Sequence, residues 1–266
     1  MGYGAMQLAG PHVFGEPKDP EEARSVLKEA LALGIDHIDT SDFYGPFVTN
    51  RLIREALHPY PKNLTLVTKV GAYRDDEGGW VLRHDADFLR KSVEDNLQRL
   101  GLERMAVVNL RMAGAEQDIA GPMRTMRRLQ EEGLLDHIGI STIGAKQLRV
   151  ARDIAPVVCV QNHYNLVHRE DEALIDELAE AGIAYVPYFP LGGFAPIQAE
   201  ELSQVAAEMK QSPQSVALAW LLQRSPNMLV IPGTSQRIHL RENIAAAGLA
   251  LSRTHKARLD AIAGLA

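Results

Sequence analysis

Three side chains able to pass a proton stand in one recognisable order. Asp39 is followed five residues later by Tyr44 in the stretch Asp39-Thr40-Ser41-Asp42-Phe43-Tyr44-Gly45, and Lys69 closes the run Leu66-Val67-Thr68-Lys69. A free tyrosine has a pKa of about 10, so at neutral pH it holds its proton and gives it up reluctantly. A nearby ammonium favours the phenolate and makes the phenol a better donor. A carboxylate next to that ammonium keeps it charged and oriented. Tyr44 is therefore a candidate proton donor, with Lys69 and Asp39 behind it. The plainer alternative is an ion pair beside an unrelated tyrosine. Paired perturbing groups tend to mark functional sites, which favours the first reading.

Such groups can act together only if the fold brings their strand ends to one place, and the hydrophobic pattern supplies that frame. Strands are expected at Gly2–Met6, Ile35–Asp39, Leu64–Lys69, Met105–Arg111, His137–Ser141, Val157–Gln161, Ala184–Pro187 and Met228–Ile231. Helices alternate with them. The first starts at Asp19-Pro20-Glu21, with a capping carboxylate and a first-position proline, and stops at Gly34. Others follow at Thr49–Leu57, along Leu89, Val93, Leu97 and Leu100, and at Pro122–Glu132, Ala145–Asp153 and Glu170–Ala181. Ser212-Pro213 splits Ala199–Lys210 from Pro213–Arg224, and Gln236–Ala247 and Arg253–Ala263 close the chain. Strands alternating with helices imply parallel pairing, and eight repeats in this length fit an α/β chain folded as a single-domain (β/α)₈ TIM barrel over residues 1–266. A doubly wound dinucleotide-binding sheet would need G-x-G-x-x-G after its first strand; Gly2-Tyr3-Gly4-Ala5-Met6-Gln7 lacks the third glycine. Asp39, Lys69, Arg111, Ser141, Gln161 and Tyr188 all fall at or just past C-terminal strand ends, the end that holds active sites in such barrels. Any one of them could be an ordinary loop polar group. Six at one mouth indicate an enzyme.

Composition removes other classes. At 46% hydrophobic residues the chain is too apolar for disorder. Its 28 basic and 34 acidic residues give a net charge of −6 with no basic cluster, which argues against nucleic acid or an anionic membrane as partner. Arg124, Arg127 and Arg128 read as a solvated helix face. No apolar run nears the roughly 18 residues of a membrane span, and the first residues lack the basic-then-apolar order expected of a signal peptide. The single cysteine, Cys159, lies in an apolar run and suits a reducing compartment, so a cytoplasmic protein is expected. His163 and His168 lack a third ligand at metal spacing, and no metal site is expected. The abrupt start at Gly2-Tyr3-Gly4-Ala5-Met6 suggests that a further segment precedes it.

The pattern D-T-x-x-x-Y-G followed by a V-T-K strand resembles the aldo-keto reductases, (β/α)₈ barrels that use a nicotinamide cofactor. The resemblance runs on through Gly139-Ile140-Ser141, Gln161 with Tyr164-Asn165, Tyr188-Phe189-Pro190-Leu191-Gly192, and Ile231-Pro232-Gly233 to Arg241-Glu242-Asn243. The opening Gly2–Gly10 and the stretch Asp39–Asn50 are similar to a bacterial branch that includes NADPH-dependent pyridoxal reductases. The resemblance implies reduction of an aldehyde, with Asp39, Tyr44, Lys69 and Arg111 as the catalytic set. Arg111 stands where many members have a histidine, and Ala106 where they have the aspartate of the same strand. An arginine offers five donors and a permanent charge, so it can hold an oxygen but cannot cycle a proton. The alternative is that it pairs with a rim carboxylate and touches no substrate.

For the cofactor, NADPH/NADP, the resemblance implies Met6 at the cleft. Tyr188 would stack on the nicotinamide, with Ser141, Thr142 and Gln161 at its carboxamide, Thr142 replacing the usual asparagine. Leu191 and Gly193 would approach the pyrophosphate. Gly233, Thr234, Ser235 and Arg237 would meet the adenosine 2′-phosphate, with His239 where an arginine is usual, and Glu242 and Asn243 would face the adenine. The missing lysine in the Gly233-Thr234 turn weakens the preference for NADPH over NADH. The insertion Tyr73–Asp85, carrying Gly78-Gly79-Trp80, is the expected pocket lid, and no long C-terminal tail of the kind that shapes the pocket in some relatives is expected. Rival readings are another small-aldehyde or sugar reductase, and a nucleotide-binding regulatory subunit like the potassium-channel beta subunits. Retention of Asp39, Tyr44 and Lys69 favours the enzyme.

Overall fold

The apolar runs become the staves of one parallel sheet, in a computed structural model that describes residues 1–194 and 196–264. The strands are β1 (Tyr3–Gly4), β2 (His37–Asp39), β3 (Thr65–Val70), β6 (Met105–Arg111), β7 (Leu135–Ser141), β8 (Val157–Gln161) and β9 (Ala184–Tyr185); β4 (Ala72–Arg74) and β5 (Trp80–Leu82) form a separate antiparallel hairpin. The sheet runs in the order β1-β2-β3-β6-β7-β8-β9 with every pair parallel. Residues 265 and 266 of the expected 1–266 domain lie outside the described residues.

The eighth stave differs from expectation. Met228–Ile231 closes the barrel but forms only one bridge, Met228 to Tyr185, and is no regular strand. Its backbone still ties both neighbours: Leu229 N donates to Tyr185 O at 2.9 Å, and Gly2 N donates to Val230 O at 2.9 Å. Pro226 and Pro232 flank the segment and have no N–H to extend a ladder. The result is a closed (β/α)₈ barrel.

Helices α1 (Pro20–Ala32), α2 (Val48–Leu57), α3 (Ala86–Leu100), α4 (Ala120–Glu131), α5 (Ala145–Ile154), α6 (Glu172–Glu180), α7 (Glu200–Met209), α8 (Pro213–Leu222), α9 (Arg237–Ala245) and α10 (Arg253–Asp260) surround the sheet. Their starts follow from local chemistry. Asp19, Asp85, Ser212 and Ser252 each accept from the amide three residues on, at 3.0 to 3.1 Å. The main core lies between sheet and helices, whereas Val67, Val107, Cys159, Val186 and Ile231 fill the barrel interior. α8 is apolar all round and wholly buried over Ser215–Leu221. No described helix is long and apolar enough to cross a membrane.

Candidate active site

Asp39 ends β2 opposite Val67 of β3, and Lys69 lies two residues further along β3 on the same face, from which its ammonium reaches back to the Asp39 carboxylate. Tyr44 follows on the β2–α2 loop, packed with Ala9, Val13, Phe43 and Ala72. All three are buried, at 3%, 4% and 7% exposure. The Lys69 ammonium donates to Asp39 Oδ1 and, at 3.1 Å, to Thr40 O. It stands 5.3 Å from the centre of the Tyr44 ring, so the ion pair and the phenol form one site. Burial alone would lower the lysine pKa, but Asp39 and Tyr44 outweigh it and hold Lys69 above its usual range. Burial holds the Tyr44 hydroxyl above the usual tyrosine range, with Lys69 pulling against it. The resting site therefore carries an ammonium and a protonated phenol.

Gln161, at the end of β8, donates Nε2–H to Asp39 Oδ2 at 2.9 Å and so fixes the second carboxylate oxygen. Its Oε1 is buried and has no partner among the described residues. Such an orphan acceptor costs free energy unless a ligand supplies a donor, and Gln161 is among the residues that line a cleft. That lobe, about 270 Å³, is lined by Met6, Tyr44, Lys69, Gln161, Tyr188, Leu191, Gly193 and Gly233 among others. Here a cofactor carboxamide could donate to Oε1, so the residues fit the nicotinamide that the sequence implies. Tyr188 is backed by His163, stacked at 5.4 Å and 9°. Burial and the nearby His168 lower the His163 pKa to about 4, so the ring behind Tyr188 is neutral at pH 7. Gly193 has φ +73°, and the space a Cβ would need is filled by the Phe189 ring, so only glycine fits.

Ser141 and Thr142 stand beside this lobe without lining it. Ser141 is buried in register with Gln161, its hydroxyl 3.4 Å from that of Thr142. Thr142 has φ +61°, a conformation that asparagine tolerates far better than a β-branched residue.

The turn after the eighth stave lies at the other end of the cleft. Thr234 Oγ1 accepts from Gln236 N at 3.1 Å and opens α9, while Thr234 O accepts from Tyr3 Oη at 2.6 Å. Ser235 lines a further groove with Met6, Lys18 and Glu22. The structure ties Arg237 to Glu22 of α1, whose Oε1 accepts from Arg237 Nε at 3.1 Å and Arg237 N at 3.3 Å. Arg237 is thus not a free cation at this turn. His239, Glu242 and Asn243 lie along α9 and line none of these grooves.

The second lobe, about 220 Å³, shares Met6, Tyr44, Lys69, Gln161, Tyr188 and Phe189 with the first and adds Phe43, Trp80, Arg111 and Phe194. Arg111 occupies the rim position expected of it. Its backbone oxygen pairs with His84 Nε2 at 2.6 Å, whereas its guanidinium has no hydrogen bond or ion pair among the described residues. The alternative of a rim carboxylate partner is therefore overturned. Trp80 comes from the β4–β5 hairpin, the expected lid. Phe43, Phe194, Gln7 and Gln214 also line the cleft without having been assigned a role from the sequence; Phe43 sits inside the Asp39–Gly45 motif, Gln7 in the opening Gly2–Gly10 stretch and Phe194 directly after Gly193, while Gln214 carries no local signal. Among the described residues no group of three His, Cys, Asp or Glu is placed to hold a metal.

The model of the Aldo/keto reductase family matches residues 1–263. Pyridoxine 4-dehydrogenase of Escherichia coli (strain K12) is 56% identical over 268 residues, covering 98% of this chain and 94% of that protein. An uncharacterized oxidoreductase of Schizosaccharomyces pombe is 38% identical over 261 residues, covering 98% and 85%. Among solved structures, a thermostable aldo-keto reductase in complex with the inhibitor epalrestat gives a TM-score of 0.84 at 27% identity, covering 98% of this chain and 94% of that one.

Proposed function

The chain belongs to the aldo/keto reductase family, and from that premise we propose that it reduces aldehydes to alcohols with NADPH, with pyridoxal as the substrate its cleft suits best. One observation carries the proposal: Tyr44, backed by Lys69 and Asp39, shares a lobe with an Arg111 guanidinium that has no protein partner among the described residues. The 56% identity to a pyridoxine 4-dehydrogenase supports the choice of substrate.

When bound, NADPH supplies the hydride that reduces the carbonyl carbon. Gln161 would hold its carboxamide and Tyr188 its ring face, with Ser141 beside Gln161 and outside the lining of the lobe. Leu191, Gly193, Gly233, Thr234 and Ser235 would line its phosphates. The protein's own part is the proton. Tyr44, kept protonated by burial, gives its hydroxyl proton to the carbonyl oxygen as charge develops there. The Lys69 ammonium then stabilises the phenolate left behind, and Asp39 keeps Lys69 in place. In the reverse direction the phenolate takes the proton from the alcohol. Arg111 holds either the carbonyl oxygen or the ionised 3-hydroxyl of pyridoxal, without passing a proton itself. Cys159, buried with its Sγ donating to Asn109 Oδ1 at 3.3 Å, suits a reducing compartment, and we place the enzyme in the cytoplasm on that ground.

The test is a screen that follows NADPH oxidation over pyridoxal, benzaldehyde and short aliphatic aldehydes. Turnover with pyridoxal at the highest kcat/KM is expected. NADPH binding with no turnover of any aldehyde would replace this reading by that of a nucleotide-binding regulatory protein.

A further inference from the structure

The β4–β5 hairpin has only three residues in each strand, and an isolated pair that short is marginal in water. Something else must hold it over the cleft, and the contacts converge on Arg74. Its Nε donates to Gly78 O at 2.9 Å, closing the hairpin's own turn. Its Nη1 donates to Val13 O at 3.1 Å and Nη2 to His12 O at 3.3 Å, reaching across the mouth to the loop after β1. Those two carbonyls belong to residues in the left-handed region, His12 at φ +57° and Val13 at φ +60°. A β-branched residue there is strained, so the loop backbone is held in a shape that presents both carbonyls to one guanidinium.

The same guanidinium lies 4.2 Å from the centre of the Trp80 ring. Trp80 is directly across the hairpin from Arg74, and its other restraint is an edge contact with Phe43 at 5.4 Å. Phe43 in turn meets Tyr44 edge-on at 5.4 Å. Arg74 has no carboxylate partner among the described residues; its charge is spent on carbonyls and on ring faces. Trp80 therefore cannot swing out of the lobe it shares with Tyr44 and Arg111 without giving up the Arg74 contact.

We propose that Arg74 is a positioning residue that pins Trp80 as a flat wall of the substrate lobe and fastens the hairpin to the 12–13 loop, so that the lobe selects planar aromatic carbonyl compounds over short aliphatic ones. It rests on the aldehyde-reductase reading of the same lobe. Arg74 touches no reacting atom, so its contribution appears in substrate affinity for ring-bearing substrates and not in the chemical step.

The experiment compares Arg74→Met, Arg74→Lys, Trp80→Leu and the double variant Arg74→Met/Trp80→Leu, with pyridoxal and with propanal. Trp80 is 44% exposed, and a cation–ring contact at such a site predicts a KM for pyridoxal about two- to fivefold higher in Arg74→Met, with kcat within about twofold. KM for propanal and the affinity for NADPH stay unchanged. Arg74→Lys keeps a cation near the ring but cannot bridge the carbonyls, and recovers part of the loss. Trp80→Leu shows the same aromatic-selective loss, and adding Arg74→Met to it changes nothing further. Equal losses for both aldehydes, or additive losses in the double variant, overturn the proposal. A separate readout survives even if no aldehyde is turned over. Trp220, the other tryptophan, is fully buried and bonded to Asp260, so acrylamide quenching reports Trp80. Quenching must increase in Arg74→Met. Unchanged quenching shows that Arg74 does not hold the ring, whereas increased quenching without any aldehyde turnover faults only the reductase reading.

Discussion

In the proposed reaction Tyr44 and Arg111 would divide the work at the carbonyl oxygen, one giving a proton and the other holding charge. Tyr44→Phe keeps the ring in its cluster with Phe43 and Val13 and removes only the proton. Carbonyl reduction should fall by at least about 10², the usual scale for a lost general acid, with NADPH affinity unchanged. Reduction near the wild-type rate would remove Tyr44 from the donor role. The pH dependence has a defined sign. Reduction needs the protonated phenol, and burial moves the Tyr44 pKa upward, so kcat for reduction should stay flat from neutral pH through about pH 9. A fall in kcat centred near neutrality would show that Lys69 wins over burial once the cofactor is in place. Arg111→Met removes charge-assisted hydrogen bonds, which are roughly twice as strong as neutral ones. Turnover of pyridoxal should drop steeply while an aldehyde without the ionisable hydroxyl suffers less. Unchanged kcat and KM for every aldehyde would make Arg111 a rim residue only. This centre was largely legible in the sequence, because Asp39, Lys69, Arg111 and Gln161 take their positions from strand register, which apolar runs fix. That the Arg111 guanidinium has no partner among the described residues was not legible, since a pairing partner is decided by neighbours distant in the chain.

The elements carry this register unequally. Where a stave is a long apolar run, as in Met105–Arg111 and Val157–Gln161, its bounds were readable to the residue. At the seam between β1 and the eighth stave, glycines and prolines shorten the regular structure, and the expected strands shrink to Tyr3–Gly4 and to a single bridge. The turn into α9 shows a further limit. Sequence places Arg237 and His239 near an anion site at the helix start, but not the Glu22 carboxylate that reaches across from α1. That carboxylate both restrains Arg237 and repels a phosphate, so two opposite variants test the turn. Replacing Arg237 and His239 together by Ala should weaken NADPH binding several-fold and spare NADH. Glu22→Gln should tighten NADPH by about threefold, again sparing NADH, since exposed charge pairs act weakly. Titration of both cofactors by protein fluorescence reads the two ratios. A common shift for NADPH and NADH in either variant would place the 2′-phosphate elsewhere.

Closure of the whole barrel depends on two backbones approaching with no side chain between them. A Cβ on Gly4 would come within 2.5 Å of Ile231 O, and one on Gly233 within 2.5 Å of Gly4 O. The Tyr3 Oη to Thr234 O bond at 2.6 Å and the Gly2 N to Val230 O bond at 2.9 Å cross the same seam, and both need that approach. Gly4 and Gly233 also line the lobe proposed for the cofactor, so on that proposal the seam links stability to binding. Gly4→Ala must push backbone against backbone, which cannot relax as a side chain can. Overpacking of this kind costs about 1–3 kcal/mol. For a barrel of this size that corresponds to a Tm lower by very roughly 2–12 °C. NADPH affinity should fall with it, because the displaced stave carries Gly233. Gly121 in α4 is the control: a Cβ there meets nothing within 4 Å, and Gly121→Ala should stabilise by about 0.4–1 kcal/mol through the unfolded chain. Calorimetry and NADPH titration on the two variants separate the effects. A Gly4→Ala protein with wild-type Tm and wild-type affinity would mean that the seam can open without cost, and that closure of this barrel rests on its helices alone.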